Sequence, residues 1–257
     1  MRVATWNVNS LKARMDRVPE WLGYAQPDVL CLQETKLGDA SFPHMAFEAL
    51  GYESVHYGQG QWNGVAIVSR VGLEGAVKGF ADGGGPDKDA RLVTAVCRGV
   101  QVSSVYVPNG RSVGSEHYAY KLSWLARLRA HLSATADPGQ PVVVCGDFNI
   151  APEDKDVWDA SAFLGGTHVS PQERQALADL SSWGLVDAFR LCWPDDGLYT
   201  YWDYRGGDFH EHRGMRIDLV LVSQALASKV TWALVDRNAR KGKQPSDHAP
   251  VLVDIEL

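Results

Sequence analysis

Pro141-Val142-Val143-Val144-Cys145-Gly146-Asp147-Phe148-Asn149-Ile150-Ala151-Pro152 decides how this chain is read. Five apolar, mostly β-branched residues run without interruption from Pro141 to Cys145, and Gly146 and Pro152 punctuate the residues beyond. That is the pattern of a buried strand entering a tight loop. A carboxylate, Asp147, and an amide, Asn149, stand just past the strand. In open α/β sheets ligands gather at the carboxyl ends of strands. Asp and Asn also favour ordinary turns by bonding their own backbone, so the remainder of the chain must separate a site from a turn.

Similar strands lie on either side. Arg2 to Val8 predicts a first strand, and Asn9-Ser10 a helix start. Leu11, Met15, Val18 and Leu22 predict a helix reaching Tyr24. Asp28 to Gln33 predicts a second buried strand, ending at Glu34-Thr35-Lys36. Val65 to Ser69 is a further strand. Arg91–Cys97 and Val100–Val107 form a pair across Arg98-Gly99, and Glu116 to Ser133 is the longest helix, with Tyr120, Trp124, Leu125, Leu128 and Leu132 on one side. Pro171 to Trp183 is another helix, closed by Gly184. Tyr199–Tyr204, Arg216–Val222, Val230–Val235 and Val251–Leu257 are strands. Helices alternate with strands, yet several strands are joined by short turns. This pattern predicts a mixed α/β architecture, in a single domain spanning residues 1–257.

The 257 residues are 45% hydrophobic, enough for a sizeable core. A net charge of −6 argues against bulk electrostatic coating of nucleic acid but leaves room for local basic patches. The four cysteines, Cys31, Cys97, Cys145 and Cys192, are scattered, with neither a zinc spacing nor a disulfide framework. They predict reduced thiols in a cytoplasmic protein. No apolar run approaches the ~20 residues of a membrane span, and none resembles a signal peptide.

Acids, amides and a phenol recur at strand ends: Asn7, Glu34, Tyr106, Asp147 with Asn149, and Asp247 with His248. Asp218 lies inside an apolar strand, where a carboxylate is costly unless paired. Singly, Glu34 can be a helix-start acid, Asp218 a structural acceptor and Asp247-His248 a surface turn. Together they fit one reaction. Carboxylates and amides are hard oxygen ligands suited to Mg²⁺ or Mn²⁺. A histidine beside a carboxylate can stay protonated against a phosphoryl oxygen, and Asp with Asn can hold and deprotonate a water. That is the equipment of metal-assisted phosphate-ester hydrolysis. There is no P-loop, GxSxG or HExxH. The pair His210 and His212 lies in a charged, Gly-flanked loop and reads as solvent-exposed.

Six motifs, in order, resemble the exonuclease III family of abasic-site endonucleases, within the endonuclease/exonuclease/phosphatase superfamily. They are Thr5-Trp6-Asn7-Val8-Asn9, Leu32-Gln33-Glu34-Thr35-Lys36, Tyr106-Val107-Pro108-Asn109-Gly110, Gly146–Pro152, Arg216-Ile217-Asp218 and Ser246-Asp247-His248. The resemblance implies a four-layered α/β sandwich, two mixed sheets face to face with helices outside. It implies Glu34 as principal Mg²⁺ ligand (Mn²⁺ being an alternative), with Asn7, Asp147, Asn149 and Asp247 near the same or a second ion. Asp147, helped by Asn149, would ready the attacking water. His248, held by Asp218, would contact the scissile phosphate, and Tyr106 would reach that phosphate or the leaving group. Asn9 stands where some relatives carry an acid, which leaves the number of metals open.

The implied reaction is cleavage of duplex DNA 5′ to abasic sites, with removal of 3′ blocks or 3′-terminal nucleotides. The implied partner is double-stranded DNA carrying abasic sites or blocked or recessed 3′ ends, bound by a monomer. The aromatic segment Tyr199–Arg205 is expected to hold DNA through Tyr201 and Trp202. By resemblance, Tyr201 with Met215 and Ile217 would wall a pocket for a flipped-out abasic sugar. Arg111, Arg205 and the basic run Arg237, Arg240, Lys241 and Lys243 are candidates for phosphates. The same superfamily chemistry on a phosphoinositide or phospholipid is the alternative. It is disfavoured by the arginine- and aromatic-rich 199–217 segment and by the lack of a membrane-binding apolar helix.

Overall fold

The computed structural model describes residues 1–257. In chain order its main elements are β1 (Arg2–Asn7), α1 (Arg17–Ala25), β2 (Val29–Gln33), α2 (His44–Glu48), β3 (Glu53–Tyr57), β4 (Val65–Ser69), β5 (Glu74–Lys78), β6 (Leu92–Cys97), β7 (Val100–Tyr106) and α3 (Glu116–Thr135). The chain continues through β8 (Val142–Asp147), α4 (Pro171–Trp183), β9 (Leu185–Asp187), α5 (Ala188–Cys192), β10 (Asp218–Ser223), α6 (Gln224–Ala227), β11 (Val230–Val235) and β12 (Val251–Ile255). The strands form two six-stranded sheets, ordered β11-β12-β1-β2-β4-β3 and β5-β6-β7-β8-β10-β9.

The unbroken apolar runs have a direct cause. Side chains alternate across a strand, and the central strands are covered on both faces. Val3, Val29, Cys31, Val143 and Cys145 point into the core between the sheets. Ala4, Leu30 and Leu32 point outward beneath Val18, Trp21 and Leu22 of α1. Val142 and Val144 point outward beneath Trp124, Leu125 and Leu128 of α3. The result is the expected sandwich of two mixed sheets with helices outside. Each sheet holds one central parallel pair, β1 with β2 and β7 with β8. The carboxyl ends of both pairs carry site residues, Asn7 and Glu34 on one sheet, Tyr106 and Asp147 on the other.

Three local expectations fail for physical reasons. The helix foreseen from Leu11 to Tyr24 is a short 3₁₀ turn at Lys12–Arg14 followed by α1. Pro19 cannot donate to the carbonyl of residue 15 and would clash with it, so a continuous helix is barred; Pro19 is tolerated only in the first turn of a new one. Asn9 and Ser10 take φ of 42° and 85°, a left-handed kink in place of a helix cap. Tyr199–Tyr204 is not a strand. Its strand pairing is limited to isolated bridges from Tyr201 to Met215 and His248. It is threaded between the start of β10 and the 246–249 loop, so Tyr199, Thr200 and Trp202 are all buried and face alternation is lost. Finally, β3, β5 and β9 are edge strands that the sequence pattern does not announce; β5 is exposed along its whole length and has no apolar face to betray it.

Candidate active site

Gly146 is the hinge on which Asp147 is placed. Its φ is 154°, and a Cβ there would lie 1.9 Å from the Val105 carbonyl oxygen, so only glycine lets β8 lie this close to β7. Asp147 is thereby set at the end of β8, opposite Tyr106 of β7 and Asp218 of β10 in the strand register. Its Oδ1 accepts the Asn149 N–H at 2.9 Å. Its Oδ2 accepts from Asn7 Nδ2, also at 2.9 Å, and the same nitrogen donates to Glu34 Oε1 at 2.9 Å. One amide therefore ties the acids of the two sheets together.

The 246–248 loop closes the other side. Ser246 Oγ donates to the Asn7 carbonyl at 2.7 Å, and Trp6 Nε1 donates to the His248 carbonyl at 3.2 Å. His248 Nδ1 meets Asp218 Oδ2 at 2.8 Å, leaving Nε2 turned toward Asp147 Oδ2 at 3.9 Å. Asp247 Oδ1 accepts from Asn9 Nδ2 at 3.1 Å. The Tyr201 ring lies 4.9 Å from the His248 ring.

Burial sets the proton affinities. It raises Asp147, Asp218 and Glu34 add to the rise, and His248 only partly offsets it, so the carboxyl stands at about 7. For His248 burial works downward, but Asp218, by charge and hydrogen bond, with Asp147 and Asp247, outweighs it and lifts the imidazole to about 10. The ring is therefore a cation at neutral pH. Burial likewise acts to raise Glu34, but Lys36 and the Asn7 amide hold it below its ordinary value. The Tyr106 phenol is driven far up by burial and by the nearby Glu34 carboxylate, so it stays protonated. Glu34, Lys36, Asn9 and Asn149 all adopt positive φ. Such strain at non-glycine residues is characteristic of sites that the surrounding structure holds in place.

The donor set suits a hard divalent cation. Glu34, Asp147 and Asp247 offer only oxygen, and the ammonium of Lys36 already rests on Glu34 Oε2 at 2.9 Å and on Asn9 Oδ1, marking a locus that favours positive charge. A buried oxygen, Asp218 Oδ1, has no hydrogen-bond partner. Asp147, Asp218 and His248 also lie close enough to be considered together as ligands. Glu34 and Asp247 offer only hard oxygen donors, so the Glu34 side suits a hard divalent cation better than the imidazole does.

Two expected metal ligands are otherwise engaged. The oxygen of Asn7 accepts the Asn9 N–H at 2.9 Å, so Asn7 faces the acids with its nitrogen. Asn149 spends its side chain on Val107 O and Asn109 Nδ2, at 3.0 and 3.1 Å, and touches Asp147 through its backbone.

Residues 4–248 match the endonuclease/exonuclease/phosphatase family. The full chain is 32% identical to exodeoxyribonuclease III of Haemophilus influenzae, with both proteins covered completely. The chain belongs to the exonuclease III family of that superfamily. Among solved structures, an AP endonuclease from Archaeoglobus fulgidus superposes with a TM-score of 0.96 at 36% identity, over 100% of both chains. The 3′ phosphatase NExo from Neisseria, solved bound to product DNA hairpin, gives 0.95 at 38% identity, again over 100% of both chains. Membership in this family of endonucleases, exonucleases and phosphatases makes the chain a hydrolytic enzyme.

Within this exonuclease III fold the outer candidates separate. Trp202 is wholly buried against Tyr199, Ala249 and Phe209, and its backbone N–H bonds Asp247 O, so it supports the site loop and cannot touch DNA; the expectation for it is corrected. Arg240 also turns inward, donating to Ser246 O and stacking over Phe209 at 4.8 Å. Met215 and Ile217 are packed with Ala151 and Val157, with Tyr201 partly buried against them. Arg111 and Arg205 are exposed, Arg205 paired with Asp203 at 2.6 Å. His212 is bonded to Gly197 O and packed at a tilt against Tyr199 rather than free. Lys36, Asn109 and Lys121 surround the site; the first two stand in the quoted motifs without an assigned role, and Lys121 stands in none. For Lys121 a signal existed: a lysine three and four residues before Trp124 and Leu125, on the buried face of a helix.

Proposed function

We propose that this chain is a Mg²⁺-dependent DNA phosphodiesterase of base-excision repair. It cleaves duplex DNA 5′ to abasic sites and removes 3′-blocking groups and 3′-terminal nucleotides, acting as a single-domain monomer in the cytoplasm. The observation that carries the reading is one constellation: Asn7 joining Glu34 to Asp147, beside a His248–Asp218 pair whose free Nε2 faces Asp147. The DNA substrate is supported by full-length likeness to an exodeoxyribonuclease III, an AP endonuclease and a 3′ phosphatase solved with DNA.

Each group has a task in in-line hydrolysis. Asp147, with a carboxyl poised near neutrality, takes the proton of the attacking water, and Asn149 holds that carboxylate through its N–H. His248, kept charged by Asp218, sets an N–H donor and a positive charge against a non-bridging phosphate oxygen. Tyr106, kept protonated, donates to the phosphate or the leaving oxygen. A Mg²⁺ ion held by Glu34, Asp147 and Asp247 would neutralise charge on the phosphate and polarise it toward attack. Tyr201 packs beside His248, where the sugar at the cut would lie, and the exposed Arg111 and Arg205 would meet flanking phosphates.

The test is nicking of duplex DNA containing one abasic analogue, with 3′-phosphate and 3′-recessed duplexes beside it, in Mg²⁺ and after complete chelation. Metal-dependent cleavage 5′ to the lesion is expected. Undiminished nicking after chelation would sink the metal-dependent part of the reading, and the absence of cleavage on all three duplexes in Mg²⁺ would sink the rest.

A further inference from the structure

Lys121 of α3 is completely buried, on the same helical face as Trp124, Leu125 and Leu128. An ammonium has three donors, and all three are spent. One goes to Glu173 Oε1, one to the Asn149 carbonyl at 2.6 Å and one to the Asn109 carbonyl at 3.1 Å. Glu173 of α4, equally buried, is saturated in turn. Its Oε1 also accepts Thr167 Oγ1 and the His168 N–H at 2.8 and 3.0 Å. Its Oε2 accepts Ser170 N–H and Oγ at 3.0 and 2.7 Å. The loops after β7 and β8 and the segment before α4 therefore converge on one buried charge.

The Asn149 carbonyl has a second donor, His168 Nδ1 at 2.6 Å. Burial, with the nearby Lys121 cation, pushes His168 down to about 4, so the ring is neutral; because a carbonyl only accepts, its proton sits on Nδ1. Both donors hold a residue at φ 51°, a conformation costly for a side chain other than glycine. The N–H of that same residue holds Asp147.

Stability alone does not account for this arrangement. A buried ion pair is often no better than two apolar groups of the same shape. What apolar groups cannot do is fix two loop carbonyls. We propose that Lys121, balanced by Glu173 and aided by His168, is a positioning residue for Asp147: it fixes the Asn109 and Asn149 carbonyls and so the angle at which Asn149 presents its N–H to the carboxylate. The proposal rests on the reading of Asp147 as the working base of the nuclease site.

The experiment compares Lys121→Met, the charge-free double variant K121M/E173Q and His168→Phe with the wild-type enzyme in Mg²⁺, using urea unfolding and steady-state cleavage of the abasic duplex. Lys121→Met strands a buried carboxylate and is expected to lower the urea midpoint and kcat together. The double variant is expected to regain much of the midpoint, while kcat stays about ten- to a hundred-fold down from misplaced groups and KM stays within about two-fold. His168→Phe, which removes no charge, is expected to lower kcat several-fold at unchanged KM. Recovery of wild-type kcat in the double variant, or a loss confined to KM, overturns the proposal. Should neither Lys121 variant fold, unchanged kcat in His168→Phe overturns it.

Asp147→Asn run alongside separates the two claims. Near wild-type turnover there removes the active-site reading and the positioning role with it. A dead Asp147→Asn beside a fully active double variant removes the positioning role alone.

Discussion

Two buried clusters of charge lie side by side at one end of the second sheet and are wired in opposite ways. In the Asp156–Arg216–Asp187–Arg190 network, acids and bases balance. Arg216, 1% exposed, reaches Asp156 at 2.6 Å and Asp187 at 2.7 Å, and Arg190 also reaches Asp156. The Asp147–Asp218–His248 cluster is unbalanced, two buried carboxylates against one imidazole, while the nearby Glu34 has its own partner in Lys36. Asp218 Oδ1 has no partner, and Asp147 is driven up rather than down. In the balanced network Asp156 goes the other way: burial acts to raise it, but Arg216 and Arg190 hold it below its ordinary value. Burial is common to both, so what separates them is the supply of counter-charge. Unspent negative charge in a cleft is what recruits a cation and a proton; spent charge only fixes backbone. Here it pins the residue just before Ile217 and Asp218, which join the site.

The contrast predicts where substitutions act. Asp147→Asn removes the proposed base without leaving a charge unpaired, so it is expected to lower turnover by ~10²–10⁴-fold with an unchanged thermal midpoint. Near-normal activity in the folded variant would erase the distinction.

His248→Ala is expected to lower kcat by about 10²-fold while DNA affinity, measured by fluorescence anisotropy, is largely kept. Its proton gives a pH signature of definite sign. His248 is raised to about 10, so its charge is present below that value and is lost as pH rises through it. Activity should fall on that alkaline side. Asp218→Asn, which removes the main cause of the rise, should move the fall to lower pH; an unmoved profile would detach the limb from His248.

Asp156→Asn should do the reverse, sparing chemistry while costing about 3–5 kcal/mol of stability, the usual penalty for breaking a buried pair. Because the folded-state value of Asp156 is depressed, its stabilising effect is present above the unfolded value of about 3.9 and is lost as pH falls through the lower folded one. Urea midpoints of wild type and variant should therefore converge below about pH 4. A constant gap would mean that Asp156 acts through packing instead.

The smallest effect belongs to an exposed charge outside both clusters. Arg205→Ala should leave kcat and unfolding unchanged and reduce the slope of log affinity against log salt by about 1. An unchanged slope would show that its pairing with Asp203 is all it does.

The central strands and their terminal acids were legible because they obey local rules. Val142–Cys145 is apolar throughout because inner and outer faces are both covered, and Asp147 comes next because Gly146 lets the strand approach β7. Tyr199–Arg205 misled because aromatic content signals a surface or a core equally well. Trp202 was expected on DNA and is instead buried behind the loop that carries Asp247. Lys121 is hard to read from sequence, although its place on an apolar helical face is a clue, since its partners, Asn109, Asn149 and Glu173, come from three separate segments.

By itself, then, the sequence determined which residue types stand at the strand ends, because alternation and turn chemistry act over a few residues. Only the tertiary structure decided which of them meet. Asn7 and Asp147 lie 140 positions apart and share one hydrogen bond, and His248 gains its charge from Asp218, 30 positions away. Proton affinity, counter-charge and loop angle are properties of such meetings: they depend on burial and on distances of a few ångströms, which no local pattern encodes.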